Sequence, residues 1–445
     1  MMEHRNKRTK QLQDFLIFSQ QHKEKSTMKD MSEKASGLLQ KPVSEMSASQ
    51  KRSRAITDLF MKAYDPNSCV VWHSLFMPTE IFRAMDIIPF TSEMVAAGIA
   101  GAGISRVLVE RGESYTQCMD SCSFATCSAG AMLEDLFPSP DFIVTTSQLC
   151  DTAIKLARLS AQLTGRKEFF IDVPYGTAAM QPDAWNDAVD YVARQLQSMV
   201  AFIERETDRK LDEQKLYETL KRSNEAREWF LKAMELRQQP YPLIRGTQIL
   251  DYSVNLLNIW GSEESVDVFR SLYEELKAAL ERGGAFSGKY RLVWYHLRPY
   301  YDNTIINYLE KECGAYLIHE IANWIFWEAF DPEDPYRSVA RKILANPAYS
   351  PLDVQLNIIK KHSHEWKPDA FIGFTHKGCR HLYSAIHMAE ENMKHLIPWL
   401  VIDGDCIDPR AYSFPLIKTR IDSFFDMLEL KKTRREGSTL QQSAL

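Results

Sequence analysis

The stretch Asp141-Phe142-Ile143-Val144-Thr145-Thr146-Ser147-Gln148-Leu149-Cys150-Asp151 decides how the chain is read. Its first half is a short run of aromatic and β-branched residues, the composition of a strand buried on both faces. Its second half turns into Cys150, and Cys150 to Leu163 has the pattern of a helix. A strand that runs into a helix implies a crossover to a parallel neighbour. Candidate neighbours stand on both sides. Upstream, Cys69–His73 and Ile87–Phe90 read as strands, with a helix between them opened by Pro78 in its first turn. A helix from Ser121 to Leu136 then leads into Asp141. Downstream, Glu168–Val173 reads as a fourth strand, ended by Pro174.

The pattern changes at Ala184. Leu196, Met199, Val200 and Ile203 recur at helical spacing, as do Trp229, Phe230, Ala233 and Leu236. Gln238–Pro242 breaks this block, residues 247–281 resume it, and Arg282-Gly283-Gly284 ends it. Alternation then returns. Strands are expected at Arg291–Tyr295, Ala315–His319, Ala370–Phe374 and Pro398–Ile402, and helices at Asn303–Glu312, Leu352–His362, His381–Asn392 and Ile417–Leu430. The expected fold is α/β: two doubly wound parallel-sheet lobes joined by a helical block. The divisions are an N-terminal extension over 1–57, a first lobe over 58–183, the helical block over 184–284 and a second lobe with a C-terminal helix over 285–445. Order is expected to begin near Ile56. Before it, Leu12, Phe15, Leu16 and Phe18 suggest a short amphipathic helix, Lys23 to Arg54 reads as an extension or partner-binding arm rather than a core element, and Arg5, Lys7, Arg8 and Lys10 as solvated.

With 45% hydrophobic and 25% charged residues, the chain of 445 can bury a core without disulfide or metal support. A net charge of -5 argues against a dedicated nucleic-acid binder. No apolar run reaches the ~18 residues of a membrane span. The first residues carry no apolar segment of a secretory signal, so a cytoplasmic setting is expected. Disulfides are then not expected among the eight cysteines. Several of them fall where doubly wound sheets bind ligands, beyond strand ends and at helix starts. Cys150, Cys379 and Cys406 follow strands, and Cys122 follows a candidate N-cap, Ser121. Helix starts favour the thiolate, which is the metal-binding form. The spacing Cys118-x3-Cys122-x4-Cys127 by itself leaves open a metal loop or small packed residues.

Four stretches carry a resemblance. They are Val71–Glu80 leading to Ala84–Pro89; Cys122-Ser123-Phe124-Ala125-Thr126-Cys127-Ser128-Ala129-Gly130; Ser147–Asp151; and Asp369–Phe374 with Lys377-Gly378-Cys379-Arg380. The tail Ile402–Asp405, Asp408–Arg410 and Lys418–Ile421 adds to them. From about Val70 to Leu428 the chain resembles the family of 2-hydroxyacyl-CoA dehydratase and class I, ATP-dependent benzoyl-CoA reductase subunits. That resemblance implies that Cys122, Cys150 and Cys379 hold one [4Fe–4S] cluster between the lobes, with one iron left open to a substrate oxygen. Cys118 and Cys127 would line the site, and Cys69, Cys313 and Cys406 would be structural. The crowding of thiols leaves open which of Cys118, Cys122 and Cys127 binds iron.

The implied substrate is an acyl-CoA or aroyl-CoA. One electron would make a ketyl of a 2-hydroxyacyl-CoA so that it loses water, or would enter an aromatic ring. The implied partners are a homologous second subunit and an ATP-dependent iron–sulfur activator; this chain has no P-loop motif of its own. The resemblance leaves room for a flavin in the partner subunit. It also implies that a Ser and a carboxylate near the first two strand ends face the substrate, which points to Ser74 and Glu93. The bland reading is that Ser74 ends a strand and Glu93 caps a helix. His73 reads as a packed residue, Gly98–Gly103 as a flexible loop, the aromatics around Trp294, Tyr300 and Trp324 as core, and His362 and His364 as a solvated helix end. Two other readings stand: an ATP-dependent reductase with a double-cubane cluster drawing on Cys118 or Cys127, and a cluster-free partner subunit that keeps the fold.

Overall fold

The computed structural model describes residues 2–22, 41–148, 150–176 and 181–442. Two four-stranded parallel sheets organise them. The first holds β1 (Cys69–His73), β2 (Ile87–Phe90), β3 (Phe142–Thr146) and β4 (Glu168–Ile171) in the order β2-β1-β3-β4. The second holds β5 (Tyr290–Tyr295), β6 (Ala315–Glu320), β7 (Ala370–Phe374) and β8 (Trp399–Ile402) in the order β6-β5-β7-β8. All eight expected strands form, and the two-lobed α/β reading holds. Every residue of β1, β3, β7 and β8 is buried, as expected of largely apolar strands covered on both faces.

The helices before the block are α1 (Met2–His22), α2 (Ala48–Ala63), α3 (Glu80–Ala84), α4 (Ser92–Gly101), α5 (Ser105–Thr116), α6 (Ser123–Leu133) and α7 (Asp151–Thr164). The block contains α8 (Pro182–Glu206), α9 (Glu213–Leu236), α10 (Gly246–Ile249) and α11 (Glu263–Glu281). The second lobe adds α12 (Thr304–Lys311), α13 (Pro335–Leu344), α14 (Leu352–Trp366), α15 (Arg380–Met393) and α16 (Phe414–Gln442). One apolar core runs through both lobes, joining Trp72, Leu108 and Ile143 to Leu292, Trp294, Ile372 and Phe424. The outer face of the first sheet is covered by α8 and, from far along the chain, by Val339 and Ile343 of α13.

Four expectations are corrected. Order begins upstream of Ile56: Ser47 and Gln50 form a capping box at the start of α2, and Ala48 and Ala55 are buried against the helical block. The basic cluster is not all solvated. Arg8 is fully buried, and it and Arg5 pair with Asp141, which also accepts the Val70 N–H at 2.8 Å. Gly98 and Gly101 lie in α4, and only Gly103 leaves helical geometry, at φ +76°. His362 is buried on the inner face of α14 with Ile359 and Trp366, 3.2 Å from His319. The arm expected over Lys23 to Arg54 lies outside the described residues as far as position 40.

Candidate functional site

Three helices in this fold begin on a cysteine. Cys122 is the N-cap of α6, Cys150 of α7 and Cys379 of α15. All three line one cavity of about 250 Å³ between the lobes. It lies outside the carboxyl ends of β1, β3, β5 and β7, where the strand order reverses in each sheet. The N-cap expected at Ser121 falls one residue later, on Cys122, and the helix itself starts at Ser123.

Backbone contact explains how distant cysteines meet. Helices α5 and α6 cross at two glycines: a methyl group on Gly112 would overlap the Thr126 carbonyl, and one on Gly130 the Leu108 carbonyl. This fixes α6 and hence Cys122. In the second lobe, Gly378 takes φ +81°, and a Cβ there would stand 2.5 Å from the Ser121 oxygen. Only glycine allows the Cys379 turn to lie so close to the Cys122 turn. Ser123 adds a bond from its hydroxyl to Asp405 at 2.5 Å, and Asp405 also accepts the Ile407 and Asp408 N–H groups at 2.8 Å.

The expectation that helix starts would favour thiolates is outweighed. Burial pushes the Cys122 thiol well above its ordinary value, and the facing Cys379 adds to that. The N–H groups of Phe124 and Ala125 pull the other way and lose. Burial raises Cys150 too, against the N–H groups of Ala153 and Thr152. Loading a cation would reverse this balance by paying for the charge on sulfur.

Glu93 lies in the first turn of α4 and lines the cavity. Burial raises its pKa, although its own N–H, the Ser92 hydroxyl and the Leu75 N–H favour the charged form. Ser74 does not line the cavity. Its hydroxyl sits 3.4 Å from that of Thr146 and accepts the Thr146 N–H at 3.3 Å, tying the end of β1 to the end of β3. His73 is packed as expected, between the Ser74 carbonyl, Thr91 and Asn258, and burial lowers its pKa to about 4. Cys127 lies on α6 itself and is buried in the core, and Cys118 bonds to Asp120. Neither lines the cavity, contrary to expectation.

The sequence reading missed two histidines here. His376 Nε2 is 3.2 Å from Cys122 Sγ, and its Nδ1 accepts the Cys406 N–H at 3.2 Å. The Nδ1 position leaves the proton on Nε2, which then donates to sulfur. His296 follows β5 at φ +82°, an uncommon conformation for a non-glycine residue and one that clusters at functional sites. Its Nδ1 accepts the Leu297 N–H at 2.7 Å, and burial, with His376 and His381 near, holds its pKa down at about 3. A positive φ cannot be read from sequence when no glycine marks it. The lone signal for His376 was its place three residues before Cys379.

The family described as 2-hydroxyglutaryl-CoA dehydratase, D-component, matches residues 74–428. The chain belongs to this D-component family. The match takes in both lobes and all three cavity cysteines. Among similar proteins, the (R)-2-hydroxyisocaproyl-CoA dehydratase alpha subunit of Clostridioides difficile is 24% identical over 400 residues, covering 84% of this chain and 94% of its own. The (R)-phenyllactyl-CoA dehydratase alpha subunit of Clostridium sporogenes is 23% identical over 388 residues, covering 84% and 92%. A benzoyl-CoA reductase subunit of Thauera aromatica is 23% identical over 330 residues, covering 68% and 73%. The D-component chain thus resembles both dehydratase and reductase components, and no helix among its described residues is long and apolar enough to cross a membrane.

Proposed function

We propose that this chain is the iron–sulfur subunit of a 2-hydroxyacyl-CoA dehydratase, with Cys122, Cys150 and Cys379 holding one [4Fe–4S] cluster. The observation that carries this is the convergence of three cysteine-capped helix starts, from two lobes, on one cavity. A single metal ion needs donors gathered about one point, and among the described residues no three His, Cys, Asp or Glu side chains gather so. A four-iron cube takes its thiolates at separate corners, which suits thiols that face a cavity from separate helices. When bound, the cluster supplies a low-potential electron and one iron open to a substrate oxygen.

The residues of the chain supply the rest. Glu93, held toward its neutral form by burial, has a proton to give to the departing hydroxyl, and Ser92 and Leu75 orient it. Ser74 acts from behind the wall by fixing Thr146, and with it the turn that carries Cys150. His296 keeps its proton on Nε2 and so offers a donor rather than a base. The surrounding aromatics exclude water from the carboxyl and the thiols.

Dehydration is preferred to ring reduction because the phenyllactyl- and 2-hydroxyisocaproyl-CoA dehydratase subunits align over more of both chains than the reductase subunit does. A double-cubane cluster is disfavoured by Cys118 and Cys127, which lie off the cavity. The proposal includes a homologous second subunit, a separate ATP-hydrolysing activator and a cytoplasmic setting; the alpha-subunit names of the relatives support the first of these. The test is anaerobic. The complex, with activator, ATP and reductant, is given 2-hydroxyacyl-CoA and aroyl-CoA esters, and product mass is read. Loss of water, with about four irons per chain, is expected. Product or iron content unchanged by Cys150→Ala would overturn the proposal and favour a cluster-free partner subunit.

A further inference from the structure

The cavity has two unlike walls. The first lobe contributes Glu93, Cys122 and Cys150. The opposite wall, built by the segment after β6 and the inner face of α14, presents Ile321, Trp324, Phe326, Ile358 and Ile359. Trp324 and Phe326 are half-buried, with their ring centroids 6.3 Å apart and their planes inclined at 61°. Rings that core packing alone had placed would be shut inside the core; these two keep a face on the cavity. Among the described residues lining the cavity there is no Lys or Arg. The charge-bearing groups on it are thiols, one carboxyl and histidines, of which His296 is held neutral.

We infer that the acyl group accepted here is uncharged and bulky, an aryl or branched-alkyl 2-hydroxyacyl chain lying on the Trp324–Phe326 wall. This rests on the dehydratase reading. A large apolar tail gains by displacing water from such a wall, whereas a tail of one methyl group covers little of it. A tail ending in a carboxylate would bury a negative charge beside the Glu93 carboxyl and the thiols with no Lys or Arg on the cavity to meet it.

The test reads binding before turnover, so that it does not depend on the activator. The assembled complex is titrated calorimetrically with four unreactive thioesters lacking the 2-hydroxyl: 3-phenylpropionyl-, 4-methylpentanoyl-, propionyl- and glutaryl-CoA. The first two are expected to bind at least about tenfold more tightly than the others, a ratio that a few methylenes in an apolar pocket commonly give. Trp324→Ala should remove about tenfold of affinity for the phenyl ester and change propionyl-CoA little. Phe326→Leu, a milder change, should move the same ratio in the same direction. Glutaryl- or propionyl-CoA binding as tightly as the bulky esters overturns the inference and leaves the CoA-thioester reading standing. Failure of all four esters to bind overturns both.

Discussion

The two lobes repeat one plan and differ at the positions where chemistry is done. In each, the second strand in sheet order (β1, β5) leaves the sheet through a non-glycine residue at positive φ on the cavity, Phe76 at 69° and His296 at 82°. In each, the third (β3, β7) is followed by a helix capped by a cysteine, Cys150 or Cys379. The helix before that strand starts on Cys122 in the first lobe and after Pro351 in the second. After the neighbouring strand, β2 leads to Glu93 and β6 to Trp324 and Phe326. A duplicated frame therefore offers three thiols, not four, and gives one lobe the acid and the other the apolar wall. On the proposed reading it is this asymmetry, rather than the frame, that would leave one corner of the cluster open.

The sharpest way to break the comparison is to remove a matched thiol. Cys150→Ser and Cys379→Ser should be equivalent if the lobes contribute equally. Each is expected to lower iron well below about four per chain and to abolish dehydration, while Cys127→Ser and Cys118→Ser leave iron content unchanged. Iron analysis with the charge-transfer absorbance checks both. Unequal losses would mean that one lobe holds the cluster without the other.

Next in size is the seam itself. Gly378→Ala puts a side chain against the Ser121 carbonyl and forces a left-handed backbone on alanine. The expected cost is about 2 kcal/mol or more in stability. Cys379 should move away from Cys122, so iron retention should fall in parallel with the melting temperature. A variant that melts earlier but keeps its iron would show that the close approach serves folding alone.

Much of this plan was legible from residues alone, for a physical reason. Strands covered on both faces are nearly continuous apolar runs, so Cys69–His73 and Ala370–Phe374 are found with their ends in place. The three cysteines stand out because each follows a turn into a helix. What stayed hidden depends on distant partners. Arg8 reads as a solvated cation until Asp141, 133 positions away, is seen beside it. His376 is ordinary until the fold brings it to Cys122, 254 positions away. The helix α4 was obscured by Gly98 and Gly101, whose low helix propensity is overridden by tertiary packing.

Glu93 tests the difference between the strand ends. Glu93→Gln removes the proton donor while keeping the shape, and should slow dehydration about a hundredfold or more with little change in thioester affinity. Its stability effect has a definite sign. The native carboxyl has a raised pKa, so between its unfolded and native values the native state holds a proton that the unfolded state has lost. Stability therefore falls as pH rises through that window. Glutamine does not titrate, so the variant should melt at the same temperature as the parent near pH 4 and a few degrees higher at pH 8. Equal melting temperatures at both would mean that Glu93 is solvated.

The smallest effect is expected where the two lobes look most alike and one thiol is missing. Pro351→Cys places sulfur at the topological counterpart of Cys122. Pro351 packs toward Gly176 and does not itself line the cavity, although Ala348 and Gln355 on either side of it do. Cysteine tolerates the backbone of Pro351, at φ -54°, so the fold should be retained. Iron should stay at about four per chain, and turnover should stay within about twofold of the parent. Retained iron with lost turnover would mean the opposite: that the new thiol reaches the cube and occupies the corner meant for substrate. In that case the symmetry of the lobes extends to the geometry of their helix starts, and proline at 351 is what keeps the site open.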